Sequence, residues 1–555
     1  NCGRPHQLQP ETNANERSFK GDRIVVGKFV AALQMPRRWD VTVFKYPGNA
    51  KVNFIKRLVG MPRELVKIWH GNVYTTPLLF ELPLSTQAPL EQGKLPEDVR
   101  RAFADHQREL GADAAVGFAE FSTTTYEAFA GWVRRINDGP RSYILAEHEG
   151  RLHVFADDFR ILRKPSRKLL AMLQVVHDAA HTAPALQTSG WPLRWQGSGW
   201  LTSDNGATYA FEDDGANRSD RAQHPESEPS DDNRSAQARW LRYRHFEAQP
   251  FHWELAEQGQ AIPATDLPQV GDLIMDSYAY NQGEPQGGPH HWVSDLVVEC
   301  RVAAPSTQGA VWLELVRAGD RYRCRVDLQT GAVTLSTTNP NGFDAPTAGA
   351  AGAGVRAPTA QVTVGPEFTL RMSNVDDELR VWLNQRELAF DRPTTYQPGT
   401  SDAPTYRRAT SKRPEDPGDT APVAIGAEQV SLRVSQLRVL RDIYYVAADG
   451  RGRDTDFERG DLAPGDPPSY WLNPGMFAQR RAIYYVLGPD QFFALGDNSP
   501  FSSDARRWGG RPTDRPDCPH YVRSELLIGK ALLIYWPHAW RPFWPNFQRW
   551  MKLVR

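Results

Sequence analysis

The sequence predicts a mainly β protein in which one antiparallel domain is interrupted by a long insert. Three observations carry this. Short β-rich segments with turn signals crowd both ends of the chain, the middle alternates apolar and polar residues over short runs, and polar low-complexity stretches separate those runs. At 555 residues the chain exceeds one ordinary core, so two or three domains are expected.

The first end reads as strands at Ile24-Val25-Val26, Val41-Thr42-Val43-Phe44, Ile55-Lys56-Arg57-Leu58-Val59 and Val66-Lys67-Ile68. Gly21-Asp22, Pro47-Gly48 and Gly60-Met61-Pro62 punctuate them. The same texture returns in Ile483-Tyr484-Tyr485-Val486, Phe492-Phe493-Ala494-Leu495 and Ala531-Leu532-Leu533-Ile534. Residues 1–80 and 446–555 are therefore read as two parts of one domain.

Between them, residues 81–189 read as a mixed helical segment. Pro96 opens a pattern with Val99, Phe103 and Leu110 on one face, and Leu169, Leu170, Leu173 and Val176 mark a second helix. Residues 190–445 read as a β-sandwich. Tyr322, Cys324, Val326 and Leu328 alternate with Arg and Asp; Leu379, Val381 and Leu383 do likewise before an Asn384-Gln385 turn, and Leu432 and Val434 follow. Three stretches, 213–238, 345–356 and 397–421, are too polar or too Ala/Gly-rich to bury a core and read as mobile loops.

Composition excludes some functions. A net charge of −1 gives no basic surface for nucleic acid. The 17 Trp and 18 Tyr fit aromatic-rich sheets, or surfaces near a membrane or a sugar, without choosing between them. The four cysteines, Cys2, Cys300, Cys324 and Cys518, form no zinc-type spacing. Cys300 and Cys324 fall on what read as neighbouring strands, either as a pair or as buried thiols. No run of about 18 apolar residues marks a membrane span or a signal peptide. The chain starts at Asn1 rather than Met and is read as a fragment or processed form.

Three segments carry the chemistry. The first is Gly21-Asp22-Arg23-Ile24-Val25-Val26, followed by the run from Pro36 to Pro47. The second is Asn53-Phe54-Ile55-Lys56-Arg57-Leu58-Val59-Gly60-Met61-Pro62. The third is Ala494-Leu495-Gly496-Asp497-Asn498-Ser499, continuing through Ser502-Ser503-Asp504-Ala505-Arg506-Arg507-Trp508-Gly509. In order they resemble the conserved boxes of bacterial type I signal peptidases, and Val522 to Ala531 resembles the strand that closes that fold. The resemblance covers roughly the first 75 and last 80 residues.

The resemblance implies a Ser–Lys endopeptidase that uses no metal or cofactor. It removes signal peptides after Ala-x-Ala-like sites at the outer face of the bacterial cytoplasmic membrane, where an N-terminal anchor holds it. A lysine acts as a base only when neutral, so its pKa of about 10.4 must fall by several units, and apolar neighbours such as Ile55, Leu58 and Val59 favour that. By motif position Lys56 is the general base, Ser502 orients it, and Arg57, Asp497, Asp504 and Arg506 brace the site, with Arg57 as a carboxylate partner. The family's nucleophile lies in a Ser-Met-x-Pro motif upstream of the Gly-Asp-Arg box. No Ser-Met-x-Pro occurs in these 555 residues, and Ser18, in Arg-Ser-Phe-Lys, does not fit it. The nucleophile is therefore expected upstream, and this stretch is expected to be inert by itself. A non-catalytic homologue that displays the sandwich at the membrane surface is the alternative.

Phe368-Thr369-Leu370-Arg371 and Val381-Trp382-Leu383-Asn384 resemble strands of the concanavalin-like jelly rolls of lectins and sugar-binding modules. Such folds host many functions, so a glycan and a protein ligand both stay open. His177-Asp178-Ala179-Ala180-His181 has zinc-type i,i+4 spacing, but carries Asp where that motif has Glu and lacks a third ligand; it reads as an amphipathic helix end. His290-His291-Trp292 reads as surface and core packing.

Overall fold

The computed structural model describes residues 22–28, 35–83, 123–127, 132–138, 141–213, 237–276, 291–345, 357–399, 418–448, 480–499, 501–508, 518–536, 539–541, 544–545 and 551–554, with single positions at 101, 235, 403, 456, 457 and 477. Two compact units emerge. Met172–Ile443 makes up most of one; Leu8–Ala171, Tyr444–Glu458 and Arg480–Arg555 make up the other.

The second of these, the split unit, contains two large antiparallel sheets among the described residues, besides the small pair Ala539–Arg541 with Trp544–Pro545. In the first, Leu527–Trp536 lies between Arg23–Gly27 and Val41–Tyr46, and Asn49–Gly60 follows, paired with Gln491–Leu495. Strands from the first and last parts of the sequence thus share one sheet, as an interrupted domain requires. The Asn49–Gly60 strand is exposed over Asn49–Asn53 and buried from Arg57 onward, so its outer half faces water and its inner half enters the core. In the second sheet, Ile483–Val486 pairs with Glu64–Trp69, which continues through Asn72–Pro83, Arg151–Ala156, Arg141–His148 and Trp132–Asp138 to Thr123–Glu127. Leu65, Val133, Ile144, Phe155, Tyr484 and Val486 form its core.

That second sheet corrects the helical reading of residues 81–189. Thr123–Glu127, Trp132–Asp138, Arg141–His148 and Arg151–Ala156 are strands of the split unit, not helices. Arg141–His148 and Arg151–Ala156 join through Glu149-Gly150, both at positive φ, a two-residue hairpin turn matched to strand twist. The helix expected from Pro96 lies outside the described residues. The second expected helix is shorter, Ser166–Met172, and the chain then turns to a strand, Gln174–Asp178. β-branched Val175 and Val176 favour that change, because their χ1 rotamers suit a pleated sheet.

The other unit is a sandwich of two antiparallel sheets. One runs Trp200–Ser203, Thr208–Phe211, Leu432–Arg441, Leu296–Ala303, Glu367–Val375, Glu378–Leu383 and Arg386–Glu387; the other runs Trp195–Gln196, Arg239–Tyr243, Val423–Glu428, Ala310–Arg317, Asp320–Asp327, Ala332–Thr337 and Thr359–Gln361. Alternate residues of each turn inward into one core, among them Val298, Cys300, Leu313, Cys324, Leu370 and Val381. The expected Asn384-Gln385 turn is present, both residues at positive φ. Cys300 and Cys324 belong to opposite sheets and are free thiols, not a bonded pair on neighbouring strands; burial pushes each up to about 12. Most of the three low-complexity stretches, together with Cys2 and Ser18, lies outside the described residues.

Candidate functional site

The site is assembled where the Asn49–Gly60 strand meets the loop that follows Gln491–Leu495. Register sets the approach: Leu58 pairs with Ala494 and Arg57 with Leu495, so the loop starting at Gly496 leaves the sheet beside Lys56. Lys56 Nζ donates to Ser502 Oγ at 2.8 Å, across 446 residues of chain. Lys56 Nζ lies 5.8 Å from the centroid of the Phe54 ring. Behind it, Phe54 stacks on Tyr46 at 4.6 Å, and Trp508, wholly buried, meets the rings of Phe44, Tyr46 and Phe54. An aromatic wall of this kind lowers the local dielectric beside the amine.

The loop is held at each turn. Ser502 N–H donates to Asn498 O at 2.7 Å and Asp504 N–H donates to Ser502 O at 3.0 Å. Arg57, buried on the strand, donates from Nε and Nη2 to the two Asp497 oxygens at 2.7 and 2.9 Å, the bidentate fork that fixes both planes. Asp504 and Arg506 pair at 2.7 Å with both side chains fully buried. Burial works to raise the Asp504 pKa, but the Arg506 charge and hydrogen bonds, with the Gly496 N–H at 2.9 Å, hold it below the usual range. All six residues expected at the site therefore stand together: Lys56 against Ser502, Arg57 against Asp497, Asp504 against Arg506.

Gly496 is a residue that sequence reasoning quoted without assigning it a part. A Cβ there would lie 1.9 Å from Ser502 Oγ and 3.1 Å from Lys56 Nζ, so only glycine lets the hydroxyl and the amine meet. Trp508, likewise quoted, forms the floor of the aromatic wall. Aromatic residue type was the available signal for it, and the absent side chain for Gly496.

Elsewhere the histidine motif dissolves. His177 lies on a strand and His181 beyond it, so the two do not share a helix face; His181, largely exposed, sits 3.5 Å from Asp178. His177 packs on Tyr243 and lines a cavity of about 420 Å³ with Trp191, Arg194, Trp195 and Trp253; burial and the Arg194 charge lower it to about 3. His291 is buried against Asp276 at 2.9 Å, and Trp292 is buried beside it, as packing residues. Among the described residues, Asp295, Asp376 and Asp442 of the sandwich are the group whose oxygens approach closely enough, within 4.8 Å, to hold a metal ion.

Comparison with known proteins finds partial likenesses to one family. The model described as "Signal peptidase, peptidase S26" matches residues 6–109. A signal peptidase I of Aquifex aeolicus is 37% identical over 60 residues, 11% of this chain and 23% of that protein. A signal peptidase I of Pseudomonas fluorescens is 39% identical over 59 residues, 8% and 21% of the two chains, and a probable signal peptidase I-2 of Synechocystis is 30% identical over 94 residues, 16% and 43%. The chain thus spans less than half the length of each of these relatives. A carbohydrate-binding module, CBM66, from Bacillus subtilis aligns with 44% of this chain and 95% of its own, at 9% identity and a TM-score of 0.21.

Proposed function

Because this chain is a relative of the type I signal peptidases, we propose that it is the larger part of a Ser–Lys endopeptidase that removes signal peptides from exported proteins. The observation that carries the reading is the 2.8 Å contact between Lys56 Nζ and Ser502 Oγ. It provides a hydroxyl that aims an amine without adding charge beside it. In the proposed reaction neutral Lys56 takes the proton from a serine hydroxyl as that oxygen attacks the scissile carbonyl carbon, then delivers it to the leaving amine nitrogen. Ser502 keeps the lone pair directed at the nucleophile. Arg57–Asp497 and Asp504–Arg506 hold the strand and the loop at that spacing.

The reading requires an attacking serine from a Ser-Met-x-Pro motif, which these 555 residues do not contain. We place that serine, with a membrane anchor, in chain preceding Gly21, and the substrate as an added extended strand cut after an Ala-x-Ala-like site outside the cytoplasmic membrane. No helix among the described residues is long and apolar enough to cross a membrane. The test is to express the full reading frame and assay cleavage of an Ala-x-Ala preprotein in detergent. Lys56→Ala is expected to remove activity by at least about 10³-fold. Unchanged cleavage would overturn the mechanism, and an inert wild-type protein would favour the display role for the sandwich.

A further inference from the structure

We infer that Tyr444–Ala448, the first residues after the sandwich, are a working arm of the peptidase site, with Ser499 and Val446 as positioning residues for the Lys56–Ser502 pair. The inference rests on the proposed peptidase reading for its consequence, but on separate contacts for its geometry.

The argument starts from Arg506. A guanidinium has five N–H donors, and a fully buried one is stable only when each finds an acceptor. Arg506 has no exposed surface, and its five are all met: Nε donates to Asp504 Oδ1, Nη2 to Asp504 Oδ2 and Ser499 O, and Nη1 to Ser499 Oγ and Val446 O. Four of these acceptors come from the site loop. The fifth, Val446 O at 2.9 Å, comes from outside every box that the family resemblance rests on. Val446 N–H also donates to Ser499 Oγ at 3.1 Å, so the arm grips the loop through both of its peptide groups.

From there a continuous set of contacts leads to the reacting pair. Arg506 holds Asp504, Asp504 accepts the Gly496 N–H, and Gly496 lies directly against Ser502 and Lys56. Val446, Ser499, Asp504 and Arg506 are all buried, so water does not replace any of these partners. The arm is itself fixed on its other side. Tyr445 N–H donates to Gly71 O at 2.9 Å, Tyr485 Oη to Ala448 O at 2.7 Å, and Ala447 N–H to Asp456 Oδ1 at 2.6 Å. At Gly71 a Cβ would fall 2.3 Å from the Tyr444 ring, so the arm lies flush on that turn.

Two variants of the full reading frame test this. Ser499→Ala removes the hydroxyl that accepts from both Val446 and Arg506. Tyr485→Phe removes the hydroxyl that donates to Ala448 O and so loosens the arm from its other side. Three readouts are followed: cleavage kinetics, the titration of Lys56 by NMR of ¹³C-methylated lysines, and hydrogen exchange at the Gly496 amide. Ser499→Ala should lower kcat by about tenfold to a hundredfold with KM little changed, as a small misplacement of a catalytic group does. It should also move the Lys56 midpoint and speed Gly496 exchange, with Tyr485→Phe changing all three less and in the same direction. If both variants only lower the unfolding midpoint and leave Lys56 and Gly496 as in the wild type, the arm is merely structural and the inference fails. If the wild type does not cleave but Lys56 and Gly496 still respond, the arm stands and the peptidase reading falls.

Discussion

Asp504 in the split unit and Asp295 in the sandwich are both buried aspartates near an arginine, yet they titrate in opposite directions. For Asp504, burial is opposed by an arginine at 2.7 Å, and its carboxyl is held below the usual range. For Asp295, burial dominates. Arg317 is 3.9 Å away and already engaged by Asp377 and by Tyr396 Oη, while Asp376 and Asp442 add like charge. Asp295 is pushed up to about 7. Burial alone therefore does not decide protonation; the count of charges around each carboxyl does. One acid matched by one arginine stays ionised and rigid, which suits a brace. Asp295, with its arginine engaged elsewhere and two further acids adding like charge, is instead raised toward neutrality.

The largest break in this comparison comes from removing the arginine of the matched pair. Arg506→Met should cost about 3–5 kcal/mol in urea unfolding of the split unit, because it leaves Asp504 buried without its counter-charge. Adding Asp504→Leu should return part of that loss. A cost below about 1 kcal/mol for Arg506→Met alone would show that water reaches the pair.

The next effect is one of pH. The folded pKa of Asp295 lies above the unfolded value of about 3.9. Between those values the folded state holds a proton that the unfolded state has released, so this carboxyl's contribution to stability is present in acid and lost as pH rises from about 4 to about 7. Asp295→Asn should flatten that fall in a pH series of unfolding midpoints. An unchanged slope would mean that the proton resides elsewhere in the cluster.

A further pH effect has the opposite sign and belongs to the split unit. Burial, with the neighbouring His148 charge, lowers His520 to about 3, and its Nε2 meets Val486 O at 3.0 Å. The unfolded chain takes up a proton below about 6.5 that the folded chain refuses, so stability falls as pH drops from there toward 3. His520→Gln should reduce that loss by up to about 1.4 kcal/mol per pH unit, followed by thermal unfolding at pH 4 to 7.

The six site residues were legible because their identities sit in contiguous runs whose order survives however much chain separates them. Lys56 and Ser502 could be matched without knowing how the sheet joins them. The arm at Val446 was not legible, for it acts through a peptide N–H and C=O that every residue but proline possesses. The hairpin at Glu149-Gly150 carried a turn signal between two apolar runs, and an expectation of helices from Pro96 onward obscured it. His177 and His181 misled by spacing alone: i,i+4 places two side chains together on a helix, and on a strand and turn it does not. Cys300 and Cys324 show the remaining limit, since alternation marks both as inward-facing without revealing which sheet each belongs to.

The interleaved first sheet has a consequence for the birth of the molecule. With 446 residues between Lys56 and Ser502, and synthesis at roughly 5–20 residues per second, the lysine waits on the order of 20–90 s for its partner on the ribosome. The Met172–Ile443 sandwich draws its strands from one continuous stretch and can close in that interval. The early strands of the split unit meanwhile wait with open edges for the last ones, a state that invites chaperones. Under the peptidase reading, the Lys56–Ser502 pair first exists once Ser502 has been synthesised, so a product truncated before it has nothing with which to cut.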